Sequence, residues 1–189
     1  VDFSMSAWVY YTNTIDNVFS TILSKWNFGV DEEYWLYLDT KAQASLRVSS
    51  SGTAFNGEVI GTSFGTLTTA TWYNVVGWHD SVNNQLGVSV NLSVITASYT
   101  SGVRSGSAPF VVGATSVGTL NFFGGRIDEA GFYKKVLTAS DRTNLYNSGS
   151  SNTFQRSFDT KPWASFDFGA GAGGTRWLMC AAGTGVYAS

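Results

Sequence analysis

The stretch from Gly124 to Gly149 constrains the fold of this chain more than any other. Two segments of different period meet there. Residues 126–134 alternate as a strand, and a turn then leads into one short helix near 138–147. Thr138 and Asp141 stand at Thr-x-x-Asp spacing, so each side chain can satisfy a free backbone N–H of the first turn. Leu145 falls where it can dock on a sheet, and Gly149 suits the C-terminal stop. So short a helix is held by packing rather than by propensity.

The rest of the chain reads as strand. Phe3, Met5, Ala7 and Val9 share one face, and Ser4, Ser6, Trp8 and Tyr10 share the other. Comparable runs recur at 18–25, 34–39, 44–49, 53–60, 72–79, 85–91, 94–99, 109–113 and 119–123. Turn residues divide them, among them Asn56-Gly57, Ser105-Gly106 and Gly124-Gly125. Many short strands at this spacing predict an all-β, two-sheet antiparallel jelly-roll sandwich. The domain is expected over residues 1–149. Residues 150–189 form a C-terminal extension, in which Gly169–Gly174 is a linker or wide loop between apolar patches. The extension is expected to add strands to the sheets or to contact another subunit.

Composition excludes several classes of function. The chain has 189 residues, 43% hydrophobic and 13% charged, which suits one ordered domain. Its net charge is −2, and the adjacent lysines 134 and 135 are its largest basic cluster, so a phosphate-neutralising surface for nucleic acid is missing. No apolar run approaches the roughly 18 residues of a membrane helix. Cys180 is the one cysteine, which excludes an intrachain disulfide and cysteine-based zinc patterns, and it reads as a small buried apolar residue. The first residues already form a strand, so a processed chain or a fragment of a longer one is expected.

The order of motifs resembles the laminin-G-like, concanavalin-A-like domains, in the versions found in bacterial exported proteins and phage structural proteins. The motifs are Phe3–Val9, Ile22–Asn27, Glu33–Asp39, Thr71–Trp78, Val88–Asn91, Pro109–Ala114 and Gly125–Glu129 followed by Tyr133, Leu137 and Leu145. The resemblance covers residues 2–149. It implies a jelly roll with a concave face that binds glycans or proteins, or packs on virions, often with Ca²⁺. Strands that the family places before Phe3 are absent, and Ala164–Phe168 is a candidate to fill that gap.

The candidate site residues each carry two readings. Asp128 is expected on one strand face with Arg126, Ala130 and Phe132, and so buried. A buried carboxylate is paired, hydrogen-bonded or metal-bound, so Asp128 is either structural or a Ca²⁺ ligand, with Asp2 or Asp167 as a second. Asp31, Glu32 and Glu33 lie between Trp26 and Trp35. They form either a solvated hairpin tip or the wall of a glycan or cation site that Lys25 partly neutralises. Trp8, Tyr10, Trp35, Tyr37, Trp72, Tyr73 and Trp78 are either core or flat platforms for a pyranose ring, with two of them expected to be exposed. Trp35 and Tyr37 are expected on opposite sides of one strand, so that at most one is a platform. Asn91-Leu-Ser93 matches the glycosylation pattern.

Catalysis finds little support. His79 is the one histidine and has no accompanying nucleophile motif. No strand carries two carboxylates at the spacing that glycoside hydrolysis requires. The expectation is therefore a non-catalytic module, extracellular or on a virion surface. Its partner is a glycan or another protein subunit, and a homo-oligomer or a capsid or appendage contact would use residues 150–189. A carbohydrate-active enzyme is the remaining alternative.

Overall fold

The computed structural model describes residues 1–12 and 19–150, and the backbone of residues 164–166. Cys180, Asp167 and the Gly169–Gly174 stretch lie outside the described residues.

The strands are β1 (Phe3–Tyr11), β2 (Ser20–Asn27), β3 (Asp31–Leu38), β4 (Ala44–Val48), β5 (Gly57–Ile60), β6 (Trp72–Asp80), β7 (Gln85–Val90), β8 (Ser93–Ser98), β9 (Val111–Val112), β10 (Gly125–Tyr133) and β11 (Ala164–Phe166). A helix, α1 (Ala139–Tyr146), follows β10. Two antiparallel sheets result, one in the order β11-β10-β1-β6-β7-β8 and one in the order β5-β4-β3-β2-β9. This is the expected jelly-roll sandwich. The expected tail strand is present as β11, which pairs with β10 through Ala130, Gly131 and Phe132. The run at 119–123 is not a strand. Ser116, Val117 and Asn121 take positive φ there, which leaves a loop with a single bridge between Thr115 and Leu120.

The core lies between the sheets. Met5, Ala7 and Val9 of β1, with Val88 of β7 in the same sheet, face Leu36 and Leu46 of the other sheet across it, all fully buried. Each large aliphatic side chain buried in this way stabilises the fold by about 1.5–3 kcal/mol. The alternate residues of β1 face outward, and there the sheet needs a second cover.

That cover is α1. Val76, Trp78, Tyr133 and Leu137 form a separate cluster on the outer face, with Leu145 packed against it. The Trp78 ring lies across Gly87, where a Cβ would come within 2.1 Å of it, so glycine is required at that close approach. Trp8 stacks on Tyr146 with ring centroids 5.9 Å apart. The connection into the helix is tied to β1 by one hydroxyl. Ser4 Oγ donates to the Lys135 carbonyl at 2.9 Å and accepts from the Leu137 N–H at 2.9 Å. The expected capping box is formed, with Asp141 N–H donating to Thr138 Oγ1 at 3.1 Å and Thr138 N–H donating to Asp141 Oδ2 at 2.9 Å. The helix ends earlier than Gly149, because Asn147 takes the left-handed conformation (φ 42°) that closes the last turn.

Replacing Thr138 with Ala should therefore cost about 0.5–2 kcal/mol of stability. Urea unfolding would measure it, and an unchanged midpoint would show that docking alone holds α1.

Candidate functional site

Trp35 and Tyr37, two of the residues singled out from the sequence, lie on the outer face of the five-stranded sheet. Trp35 and Tyr37 are two apart on β3, so they share a face, and the expectation of opposite sides is corrected by the period of two. Their rings stack at a centroid distance of 4.2 Å. With Trp26 they form a cluster distinct from the core, and Phe19 packs on it. Pairing across the sheet sets Trp35 opposite Arg47, and Arg47 opposite Glu58. The Arg47 guanidinium lies 5.2 Å from the Phe19 ring centre, 5.6 Å from Trp35, 5.2 Å from Tyr37 and 4.3 Å from Phe55. Arg47 Nε donates to Glu58 Oε1 at 2.6 Å, and the Tyr37 hydroxyl donates to the same oxygen. Burial, then the bond to Glu58, pushes the Tyr37 phenol well above its ordinary value.

This face is closed. Trp35 and Tyr37 are both 0% exposed. A cation held among four rings contributes about 0.5–2 kcal/mol in such a setting and leaves no ring face open for stacking. Among the described aromatic residues of this face, the rim residues Phe28 and Phe55 are the exposed ones.

The acidic run at the start of β3 is not a solvated tip. Asp31, Glu32 and Glu33 are all buried, and the loop from Arg104 to Ala108 folds over them. Asp31 accepts from Ser107 N–H at 2.6 Å, Ala108 N–H at 2.7 Å, Ser107 Oγ at 3.1 Å and Arg104 Nε at 3.1 Å. Glu33 accepts from Gly106 N–H at 2.7 Å and from Lys25, which neutralises it as expected. Glu32 Oε1 accepts from Gly29 N–H at 2.9 Å, while its Oε2 is buried with no partner among the described residues. Burial alone would raise the Asp31 pKa, but the Ser107, Arg104 and Ala108 donors outweigh it and bring it from 3.8 down to about 2.

Asp128 is placed differently from its expected position. A bulge between Ser6 and Trp8 sets two residues of β10 against Ala7, with Glu129 at φ 49°. The bulge reverses the parity of the strand. Ile127, Ala130 and Phe132 face the core, while Arg126 and Asp128 pair with Tyr10 and Trp8 on the outer face. Asp128 is half-buried, and its Oδ1 accepts from Glu129 N–H at 2.9 Å. Asp2 accepts from Ser81 N–H at 2.7 Å, six residues along β1 from Trp8 and so about 20 Å from Asp128. Among the described residues no group of three His, Cys, Asp or Glu side chains could hold a metal ion. His79 is buried, with Nδ1 2.7 Å from the Val1 carbonyl oxygen and its ring against Phe3 and Tyr99.

The open aromatic surface lies beside α1, where the helix stops covering the six-stranded sheet. Arg126, Tyr10 and Trp72 align across β10, β1 and β6. Trp72 is 38% exposed, Tyr10 is half-buried, and their ring centroids are 5.4 Å apart. The exposed Arg126 places its guanidinium 5.4 Å from the Tyr10 ring centre. In the next row Asp128, Trp8 and Asn74 align, and Tyr146 stacked on Trp8 forms a wall. Gly125 admits this arrangement, since a Cβ there would meet the Tyr10 carbonyl oxygen at 2.0 Å. Tyr10 and Trp72 are among the candidate platforms, and their register with Arg126 depends on the bulge, which strict alternation does not reveal. Asn91, the residue of the glycosylation pattern, accepts from Asn74 N–H at 2.9 Å through Oδ1.

The acidic loop gives a pH prediction. The folded-state pKa of Asp31 lies below its unfolded value, so its contribution to stability is complete above about pH 4 and is lost as pH falls toward 2. Asp31→Asn should lower the melting temperature near neutral pH and flatten the acid limb of the stability curve. An acid limb identical to that of the parent would show that these N–H donors do not hold the carboxylate.

Comparison with known proteins agrees with this architecture. The CBM40 domain of the Ruminococcus gnavus IT-sialidase, bound to α2,3-sialyllactose, matches with a TM-score of 0.57 at 15% identity over 76% of this chain and 81% of that one. Domain 4 of AbnA, a GH43 extracellular arabinanase from Geobacillus stearothermophilus, in complex with arabinotriose, matches at 0.51 and 24% identity over 76% and 65%. A protein from Bacteroides ovatus matches at 0.58 and 18% identity, and this chain spans 40% of its length. These likenesses carry the fold alone. No curated protein sequence matches. The model of the concanavalin A-like lectin/glucanases superfamily matches residues 1–141, and the chain belongs to that family.

Proposed function

We propose that this protein is a non-catalytic glycan-recognition module and that its contact surface is the outer face around Tyr10 and Trp72. One observation carries the reading: a pair of adjoining rings stands open on a rigid sheet, flanked by hydrogen-bonding side chains. The apolar C–H face of a sugar ring packs on such aromatic surfaces, while Arg126 and Asp128 offer donors and acceptors to its hydroxyls. Because the rings sit on paired strands, little entropy is lost in ordering them on binding. The structural neighbours that bind sialyllactose and arabinotriose support a carbohydrate ligand for this fold. An extracellular or virion-surface location suits such a module.

The absence of catalysis in this reading rests on the state of the acids. Asp31 and Glu33 accept from backbone N–H donors and are paired with Arg104 and Lys25. An acid of that kind cannot hold the proton that glycoside cleavage needs at its leaving group.

A second reading, assembly with another protein subunit, is favoured by a different surface. Val117, Leu120 and Phe122 in the 115–123 loop are all at least half exposed, with Phe122 at 62%. Light scattering across concentration would support this reading through a mass above the monomer that Phe122→Ser abolishes. A constant monomer would count against self-association through this loop.

The glycan reading predicts that an array of neutral and acidic glycans returns at least one ligand, and that Trp72→Ala weakens it about tenfold, roughly the value of one aromatic contact. Calorimetry on the full chain measures the change. The proposal fails if no glycan binds or if Trp72→Ala binds as well as the parent.

A further inference from the structure

We infer that the ligand class of the Tyr10–Trp72 surface is an acidic sugar, with Arg126 reading its anionic group; this rests on the glycan reading above. The four ion pairs among the described residues are Lys25–Glu33, Arg47–Glu58, Arg104–Asp31 and Lys135–Asp141. Arg126 belongs to none of them. The contrast with Arg47 is direct. Both guanidiniums lie over aromatic rings, but Arg47 is half-buried and donates to Glu58, whereas Arg126 is exposed.

The Arg126 guanidinium lies 5.4 Å from the Tyr10 ring centre, and its N–H edge is open to solvent. That edge is a planar fork matched to a carboxylate or sulfate, and its partial order lowers the entropy lost when an anion docks. The opposing charge nearby is Asp128, two residues along the same strand face. Its Oδ1 is engaged by the Glu129 N–H, and it is half-buried. Asp128 is thereby left to accept from a sugar hydroxyl, while Arg126 supplies the cationic contact. A ring on Tyr10 and Trp72 with its acidic group toward β10 would satisfy both.

The test uses the full chain with three probes: oligogalacturonate, a neutral galactose oligomer of the same length, and a sulfated galactan. Calorimetry in low and high salt, with parent, Arg126→Ala, Arg126→Lys and Trp72→Ala, separates the contributions. The expected result is an acidic probe bound about tenfold or more tighter than the neutral one, a preference that salt weakens. Arg126→Ala should remove the preference, costing acidic binding about tenfold more than neutral binding, and Arg126→Lys should recover part of it. Preference for the sulfated probe alone supports the inference with sulfate as the anion. Equal binding of neutral and acidic probes, or an equal loss of both in Arg126→Ala, overturns it while leaving the glycan reading standing. Failure of both acidic probes to bind overturns the inference alone, whereas binding indifferent to Trp72→Ala removes both.

Discussion

The inward burial of alternate residues on β1 is the constraint on which the other features depend. Met5, Ala7 and Val9 enter the core, so Ser4, Ser6, Trp8 and Tyr10 must point outward. Each of those outward residues then meets a different requirement. Ser4 anchors the connection into α1, Trp8 receives the end of the helix, and Tyr10 opens the aromatic surface. A slip of one residue in β1 would turn Phe3, Met5, Ala7, Val9 and Tyr11 out of the core and bring the polar ones in, so the register is strongly specified.

The two outer faces of the sandwich resolve the same difficulty in opposite ways. Both carry more aromatic surface than a solvated sheet tolerates. On the five-stranded side the chain closes the surface with its own side chains, using Arg47 and Glu58 as a polar lid over Trp35 and Tyr37. On the six-stranded side a helix of eight residues covers what it can reach, and Tyr10 and Trp72 lie beyond it. Closure of the first face makes it a stabilising element. The incomplete cover of the second is what leaves it available for recognition.

Much of the fold was legible because the signals were local. The alternation of β1, the Thr138–Asp141 spacing and the turn residues each act within a few positions. The site was less legible for three physical reasons. Strand β3 is buried on both sides, so its composition carries no polar face to show which residues lie outside the core. The acidic run Asp31–Glu33 is made burial-tolerant by N–H groups from residues more than seventy positions away, which no local pattern reveals. Asp128 was misplaced because strict alternation was carried through β10. A trace of the bulge is present in the sequence, since Ile127 and Phe132 both enter the core at an odd separation.

That bulge has a consequence for how the module can vary. Its extra residue acts as a phase joint within one strand. On one side of it, Gly131 and Tyr133 answer to the helix; on the other, Arg126 and Asp128 answer to whatever approaches from solution. Arg126 and Asp128 are not members of the packed cluster under α1, so substitutions there change surface chemistry first. The strand therefore combines a fixed half and an interchangeable half, and a scaffold built in this way can exchange one ligand for another while its folding determinants stay the same.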